Sequence, residues 1–312
     1  MFKYHVFALL LGTILEFFLG NLPGIYNPFD SLKRWIKYLD RALLGDELIL
    51  LEKDKQKTMG VWLLILAIFP PFVLVLFFDL FCWDVSYVLG IIFEVIVTYY
   101  CISSRKLYYG IIDLLNYYFD FGLEGASSAY STLTDTEKSF SNEKDMIATS
   151  IFTFAKMAGD YVICPLFVMF LFGPVGGVLY KTIDMIDSRV GHRDARYQYF
   201  GYYPSRINDV VNLIPSRFAA RVTLLYISLP FGNFNKKNAK FIYYRDAVKK
   251  GQLNSYQMPS VYAGALGVFL PNVEIGDSDK DLNFSDIRST ANLMQYTYMI
   301  CQLILLVLLI VF

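Results

Sequence analysis

The sequence predicts an all-α integral membrane protein, with several transmembrane helices, one broken or re-entrant apolar segment, and cytoplasmic helices and loops. Three observations predict it. Of 312 residues, 55% are hydrophobic and 17% aromatic but only 18% charged, whereas soluble domains carry about 25% charged residues. The mean hydropathy is +0.42. Apolar runs long enough to cross a bilayer recur along the chain. Lys+Arg and Asp+Glu balance at 28 each, so the global charge gives no reason to expect a nucleic-acid partner.

Residues 5–22 form the first span, which carries Glu16. Lys3 ahead of an apolar core resembles a signal peptide, but Asn21-Leu22-Pro23-Gly24 offers no small-residue cleavage pattern, so a retained helix is expected. Residues 60–81 are the strongest span, and Pro70-Pro71 predicts a kink near its middle. The short link from Cys82 to Ser86 leads into a second span over 87–102, which contains Glu94, and the two make a helical hairpin. Residues 293–312 form the terminal span.

Lys33, Arg34, Lys37, Arg41, Lys53, Lys55 and Lys57 lie between the first two spans, and the hairpin tip around Asp84 has no basic residue. The positive-inside rule therefore places the basic segment, Arg105, Lys106 and the stretch to Asp160 in the cytoplasm. Residues 161–180 are apolar enough to span, yet both flanks are basic. Pro165, Gly173, Pro174, Gly176 and Gly177 interrupt them, so a broken or re-entrant segment is expected, with both flanks cytoplasmic. The spacing of Gly173 and Gly177 permits close packing. From Arg206 to Pro230, ionisable residues point to a helix lining a polar cavity or the interface. Ser139–Asp145 reads as a surface turn and Gly232–Asp286 as a cytoplasmic loop region. The whole chain, 1–312, is one domain with a polar site region over 181–290.

Generic catalytic signatures are absent: there is no phosphate loop, no G-x-G-x-x-G, no H-E-x-x-H and no G-x-S-x-G. The four cysteines are far apart without metal-ligand spacing, and the two histidines are His5 and His192. The informative stretch runs from Tyr180 to Arg217. It alternates Lys181, Arg189, Arg193, Arg196, Arg206 and Arg217 with Asp184, Asp187, Asp194 and Asp209. At helical spacing Lys181, Asp184 and Ser188 share a face, and Asp184 and Asp187 can converge. Such carboxylates can hold Mg²⁺, and the basic residues can clamp phosphoryl oxygens. Surface ion pairs anchoring the protein at the interface are the other reading of the same pattern.

The block from Tyr180 to Tyr197, YKTIDMIDSRVGHRDARY, resembles the hallmark of the CobD/CbiB family of adenosylcobinamide-phosphate synthases, Y-K-A-x-N-T-L-D-S-M-V-G-[HY]-[KR]-N-E-R-Y. Phe200-Gly201, Arg206, Asp209, Asn212 and Ile214-Pro215-x-Arg217 resemble the family's next block. Ala263 to Val268 matches A-G-A-L-G-V, with Asn254 standing for the Asn-containing loop before it. Gly276-Asp277, Asp286-Ile287, Asp135-Thr136, Asp160 with Pro165-Leu166-Phe167, and Glu16, Gly20 and Asn27-Pro28 extend the likeness over nearly the whole chain.

This resemblance implies an ATP-dependent ligase of cobamide biosynthesis at the cell membrane, with its active region facing the cytoplasm. It would join a propionate carboxylate of adenosylcobyric acid to aminopropanol phosphate or ethanolamine phosphate. ATP is the implied co-substrate and Mg²⁺ the implied cation; other corrinoid-pathway membrane enzymes are implied partners beside the lipid bilayer. The implied catalytic residues are Asp135, Asp160, Asp187 and Asp209. Substrate binding falls to Lys181, Asp184, Ser188, Arg193, Arg196, Arg206, Asn212, Arg217 and Asn254, and metal binding to Asp184 and Asp187.

The sequence departs from the family pattern in several places. The stretch E-[TS]-x-A-E-N is Phe152-Thr153-Phe154-Ala155-Lys156-Met157 here, the Arg of G-R-D-T is Thr134, and Asn-Glu before Arg196 is Asp194-Ala195. Asn208 stands for the first Asp of an Asp-Asp pair, and Pro259 for another carboxylate. Either the site has been rebuilt, with Asp184 and Asp194 taking over, or the parent reaction is lost. The alternatives are a non-catalytic corrinoid binder or scaffold and, from the broken segment alone, a transporter.

Overall fold

The computed structural model describes residues 2–20, 24, 26–45, 52–192, 194–230, 234–248, 253–277 and 280–311. It is helical almost throughout, with one antiparallel pair of two-residue strands, Phe269–Leu270 (β1) and Ile275–Gly276 (β2). Five helical stretches have the length and apolarity to cross a membrane: Phe2–Leu19, Lys53–Val85, Tyr87–Thr134, Glu143–Val190 and Phe284–Val311. A bent pair over 202–228 makes a sixth if taken as one span. The protein is a multi-pass membrane protein of the class its composition predicts.

Helix α1 (Phe2–Leu19) and helix α4 (Tyr87–Cys101) run side by side in the same direction. Tyr4 stacks on Tyr87, and the Tyr99 hydroxyl donates to the Gly20 carbonyl. Parallel neighbours need a return path, supplied by α2 (Pro28–Leu44) and α3 (Lys53–Val85). Asn27 caps α2 through its side chain, with Pro28 at the first turn, where a missing N–H costs nothing. Helix α2 buries Phe29, Ile36, Leu39, Asp40 and Leu44, while Lys33, Arg34, Lys37 and Arg41 stay exposed, so it is amphipathic. Helix α3 continues through Pro70 and Pro71 as one helix. Ser86 separates it from α4 and caps α4 with its side chain, so the expected helical hairpin is present.

Two later helices double back. Helix α5 (Ser104–Thr134) breaks at Gly122, with φ 66 and ψ −152. The apolar segment continues from α6 (Glu143–Ala158) through a π-helical turn (Gly159–Ile163) into α7 (Cys164–Val190), which breaks at Gly173 with φ 65 and ψ −162. Those dihedrals are essentially glycine-only. In a straight helix Cys164 and Tyr180 would lie about 24 Å apart, yet they are close enough to interact electrostatically. A Cβ on Gly177 would fall 2.4 Å from Cγ of Met169, and one on Gly125 would fall 2.3 Å from the Tyr117 carbonyl. Each break is therefore a reversal, and the two tips share the pattern Phe-Gly-x-x-Gly, at Phe121–Gly125 and Phe172–Gly176. Pro174 opens the return arm of the second, where its fixed φ suits a first turn.

The second reversal decides the topology. Ser103 N–H donates to Tyr161 O at 3.1 Å, and Lys181 Nζ donates to Cys101 O at 2.8 Å. Both flanks of residues 161–180 thus meet the same end of α4, while Phe170 near the tip accepts from His5 at 3.1 Å. His5 also pairs with Glu94, fastening the tip to α1 and α4. The segment is re-entrant. Length and apolarity alone would count it as a crossing, but these contacts put its two ends on one side.

The remaining helices sit around that end. Helix α8 (Tyr202–Val211) meets α9 (Leu213–Ser228) at a 46° bend, exposing Tyr202, Tyr203, Ile207, Val210 and Ile214 as an apolar face. The stretch 232–286, expected as a polar loop region, holds α10 (Lys236–Asp246), α11 (Gln257–Leu266) and the strand pair. Asn235 caps α10, and buried Asp246 accepts from Gly276 N–H at 2.9 Å while pairing with Arg245. The polarity of this stretch is spent on caps and internal pairs. Helix α12 (Phe284–Val311) begins ahead of residue 293, because its first turns carry Asp286 into a bond with Lys280.

Replacing Gly173 with Ala is expected to lower stability by about 1–3 kcal/mol, measurable as a lower melting temperature in detergent. In a Cys82→Ser background, single cysteines at Ser139 and Ser188 should react with an impermeant thiol reagent from the same side of sealed vesicles.

Candidate functional site

The re-entrant segment and α8 bring a cluster of acidic side chains to the C-terminal end of α4. Lys156, on the last turn of α6, is exposed although Ala155 and Met157 on either side are buried, so it lies on the solvent-reached face of that helix. It lies within electrostatic reach of Asp160, Asp184, Asp187 and Asp209. Asp160 sits in the π-helical turn, one helical turn beyond Lys156; single π turns inside helices recur at functional sites. Asp184 and Asp187 come from the return arm of α7, and Asp184 also senses Asp160 and Lys181.

A hydrogen-bonded chain ties this arm to α8 and α9. Ser205 Oγ donates to Asp187 Oδ1 and Asn208 Nδ2 donates to Asp187 Oδ2, both at 2.8 Å. Asn212 Nδ2 donates to Asn208 Oδ1 at 2.7 Å, and the Tyr180 hydroxyl donates to Asn212 Oδ1 at 2.6 Å. Beyond it, Asn254 Nδ2 donates to the Asp209 carbonyl at 2.7 Å, and Asn254 Oδ1 accepts from Ser216 at 3.5 Å and Arg217 at 3.4 Å. Ser188 lies beside Tyr161 and interacts with its hydroxyl. Asp160, Asp184, Asp187, Ser188, Asp209, Asn212, Arg217 and Asn254, all singled out from sequence, are thus connected.

Four others have different company. Lys181 donates to the Tyr100 carbonyl at 3.0 Å, the Cys101 carbonyl at 2.8 Å and Ser103 Oγ at 3.3 Å, with the Phe29 ring 4.8 Å away. It caps the carbonyl end of α4, as cations favour. Arg196 donates to the Gly45 carbonyl at 3.0 Å and faces Asp40 at 3.9 Å. Arg206 is exposed, its guanidinium 5.7 Å from the Tyr202 ring. Asp135 caps α5 and pairs with Lys33 on the surface. Arg193 lies outside the described residues.

Asp40 is a second polar centre. It is fully buried, accepts from Arg189 Nε and Nη2 at 3.0 and 2.9 Å, and accepts from the Tyr197 hydroxyl at 3.0 Å. Burial, reinforced by Asp40, pushes the Tyr197 phenol up, so it stays protonated and remains a donor. This node fastens α2 to the end of α7.

Sequence reading missed Lys156 as a site residue, taking it only as a lost family position. The signal was present: Lys156 and Asp160 stand four apart on one helix, a spacing that makes neighbours. The expected metal pair, Asp184 and Asp187, lies on the return arm of α7, where both oxygens of Asp187 accept hydrogen bonds. Among the described residues no group of three or more His, Cys, Asp or Glu side chains could hold a metal ion.

The profile of the family described as CobD/Cbib protein matches residues 9–293. The chain belongs to the CobD/CbiB family. Among relatives, the cobalamin biosynthesis protein CobD of Clostridium perfringens is 25% identical over 299 residues, covering 92% of each chain. That of Leptospira interrogans is 22% identical, covering 91% of each, and that of Pelobacter propionicus reaches 36% over 129 residues, 41% of this chain. No solved structure matches. This CobD/CbiB member is therefore divergent, and Lys156 lies among its departures.

Replacing Asp40 with Ala is expected to cost about 2–4 kcal/mol, because Tyr197 and two arginines lose a shared buried acceptor. Chemical denaturation in detergent micelles, followed by circular dichroism, would read that loss.

Proposed function

We propose that this protein acts in cobalamin biosynthesis as an ATP-consuming ligase. In this reading it joins a carboxylate of adenosylcobyric acid to the amine of aminopropanol phosphate or ethanolamine phosphate, giving adenosylcobinamide phosphate. The observation that carries the reading is the convergence of Lys156, Asp160, Asp184, Asp187 and Asp209 at one end of α4, in a chain whose relatives are named for cobalamin biosynthesis.

The chemistry suits such a site. A carboxylate is a poor acyl donor, so ATP would first convert it to an acyl phosphate, releasing ADP. The amine then displaces phosphate and loses a proton, which a carboxylate such as Asp160 or Asp209 can accept. Cationic groups lower the cost of the phosphoryl charge that develops. Beside Lys156, Arg217 is a further basic residue near the cluster, since Asn254 connects it to the Asp209 carbonyl. The basic face of α2 supports a cytoplasmic placement of this end, where nucleotide is available. ATP would serve as co-substrate, with any Mg²⁺ carried on its phosphates.

A second reading, a non-catalytic corrinoid binder or scaffold, is favoured by one observation: Lys181, Arg189 and Arg196 bond to the protein itself.

Purified protein supplied with cobyric acid, aminopropanol phosphate, ATP and Mg²⁺ should form cobinamide phosphate and ADP in equal amounts. Asp160→Asn should slow turnover by about 100-fold or more. Corrinoid binding without ATP turnover would instead establish the second reading.

A further inference from the structure

Lys156 is an ammonium on which all four carboxylates of the cluster, Asp160, Asp184, Asp187 and Asp209, act, although they come from the π turn, α7 and α8. Asp184 is only 8% exposed, and no donor among the described residues hydrogen-bonds its carboxylate. A buried carboxylate without a donor takes up a proton or is offset by a nearby cation, and Lys156 and Lys181 both act on Asp184. Two kinds of cation could serve: a bound divalent ion or a side chain.

The donor set argues against the ion. Mg²⁺ requires near-octahedral oxygen ligands with several free carboxylate positions. Both oxygens of Asp187 already accept from Ser205 and Asn208, and no metal-holding group of three acidic, His or Cys side chains exists among the described residues. A lysine brings a compact point charge on a flexible stem, without coordination geometry to satisfy. Its attachment one helical turn before Asp160 fixes where that charge lies.

We infer that Lys156 is the resident cation of this site, a tethered ammonium that occupies the electrostatic place of a divalent ion among Asp160, Asp184, Asp187 and Asp209. What it does for a substrate rests on the ligase reading: its N–H groups face an anionic phosphoryl or carboxylate oxygen entering from the exposed side. The exclusion of a metal does not rest on that reading, because it can be measured without any substrate.

The experiment uses the full chain in nanodiscs of neutral lipid, titrated with Mn²⁺ alone while the electron-paramagnetic signal of free Mn²⁺ is followed. The wild-type protein should show no saturable site in the micromolar range. Lys156→Gln should gain a site at least 10-fold tighter, and adding Asp184→Asn should remove it. Lys156→Arg, which keeps the charge, should behave as wild type. Tight Mn²⁺ binding by the wild type, no gain in Lys156→Gln of unchanged melting temperature, or a gain in Lys156→Arg would each overturn the inference. A failed amidation assay would leave these outcomes untouched.

Discussion

The fastening of both flanks of the re-entrant segment to the carbonyl end of α4 is the constraint on which the rest of the molecule depends. Ser103 holds Tyr161 on the incoming side, and Lys181 holds the Tyr100 and Cys101 carbonyls on the outgoing side. These contacts fix the register of the π turn against the return arm of α7. Asp160 and Asp184 follow directly, each one turn or less from its anchor. Without the reversal at Gly173, the two carboxylates would stand on one long helix, far out of reach of each other.

From that anchor, polar contacts spread in two directions with different work to do. Toward α8 and α9, Asp187, Asn208, Asn212 and Tyr180 form a chain in which nearly every donor and acceptor is used. A buried network satisfied in this way favours one arrangement over its neighbours. Toward α2, Asp40 gathers Arg189, Tyr197 and Arg196, joining the basic amphipathic helix to the end of α7. The first direction borders the carboxylate cluster, and the second is centred on the fully buried Asp40. Residues of one short sequence block are therefore divided between the carboxylate cluster and the framework around Asp40.

That division explains how far the sequence could be read. The hairpin of α3 and α4 and the break at Gly173 were legible because apolar length, Ser86, and clustered Gly and Pro act locally. Asp184 and Asp187 were legible as neighbours because helical spacing sets them on adjoining positions. The partners of Lys181 and Arg196 were not, since a basic side chain looks the same in sequence whether it meets a substrate or the end of another helix. Helices α10 and α11 were missed for a similar reason: the polar residues that suggested a loop are caps and internal pairs, such as Asn235 and the Arg245–Asp246 pair. Lys156 was hidden by comparison with family pattern, which marked it as a loss of charge ligands and said nothing of what an opposite charge would do there.

The reversal at Gly173 also bears on how the chain enters a bilayer. A segment whose two ends lie on one side cannot be threaded through the translocon as an ordinary crossing. Its walls come from α1 and α4, already synthesised, and from α12, where Cys301 lies beside Cys164. Helix α12 follows the hairpin in chain order, so this part of the wall is made after it. The groove that holds the hairpin is therefore complete only once α12 is in place, and the seat of the hairpin depends on packing among helices as well as on its own apolarity.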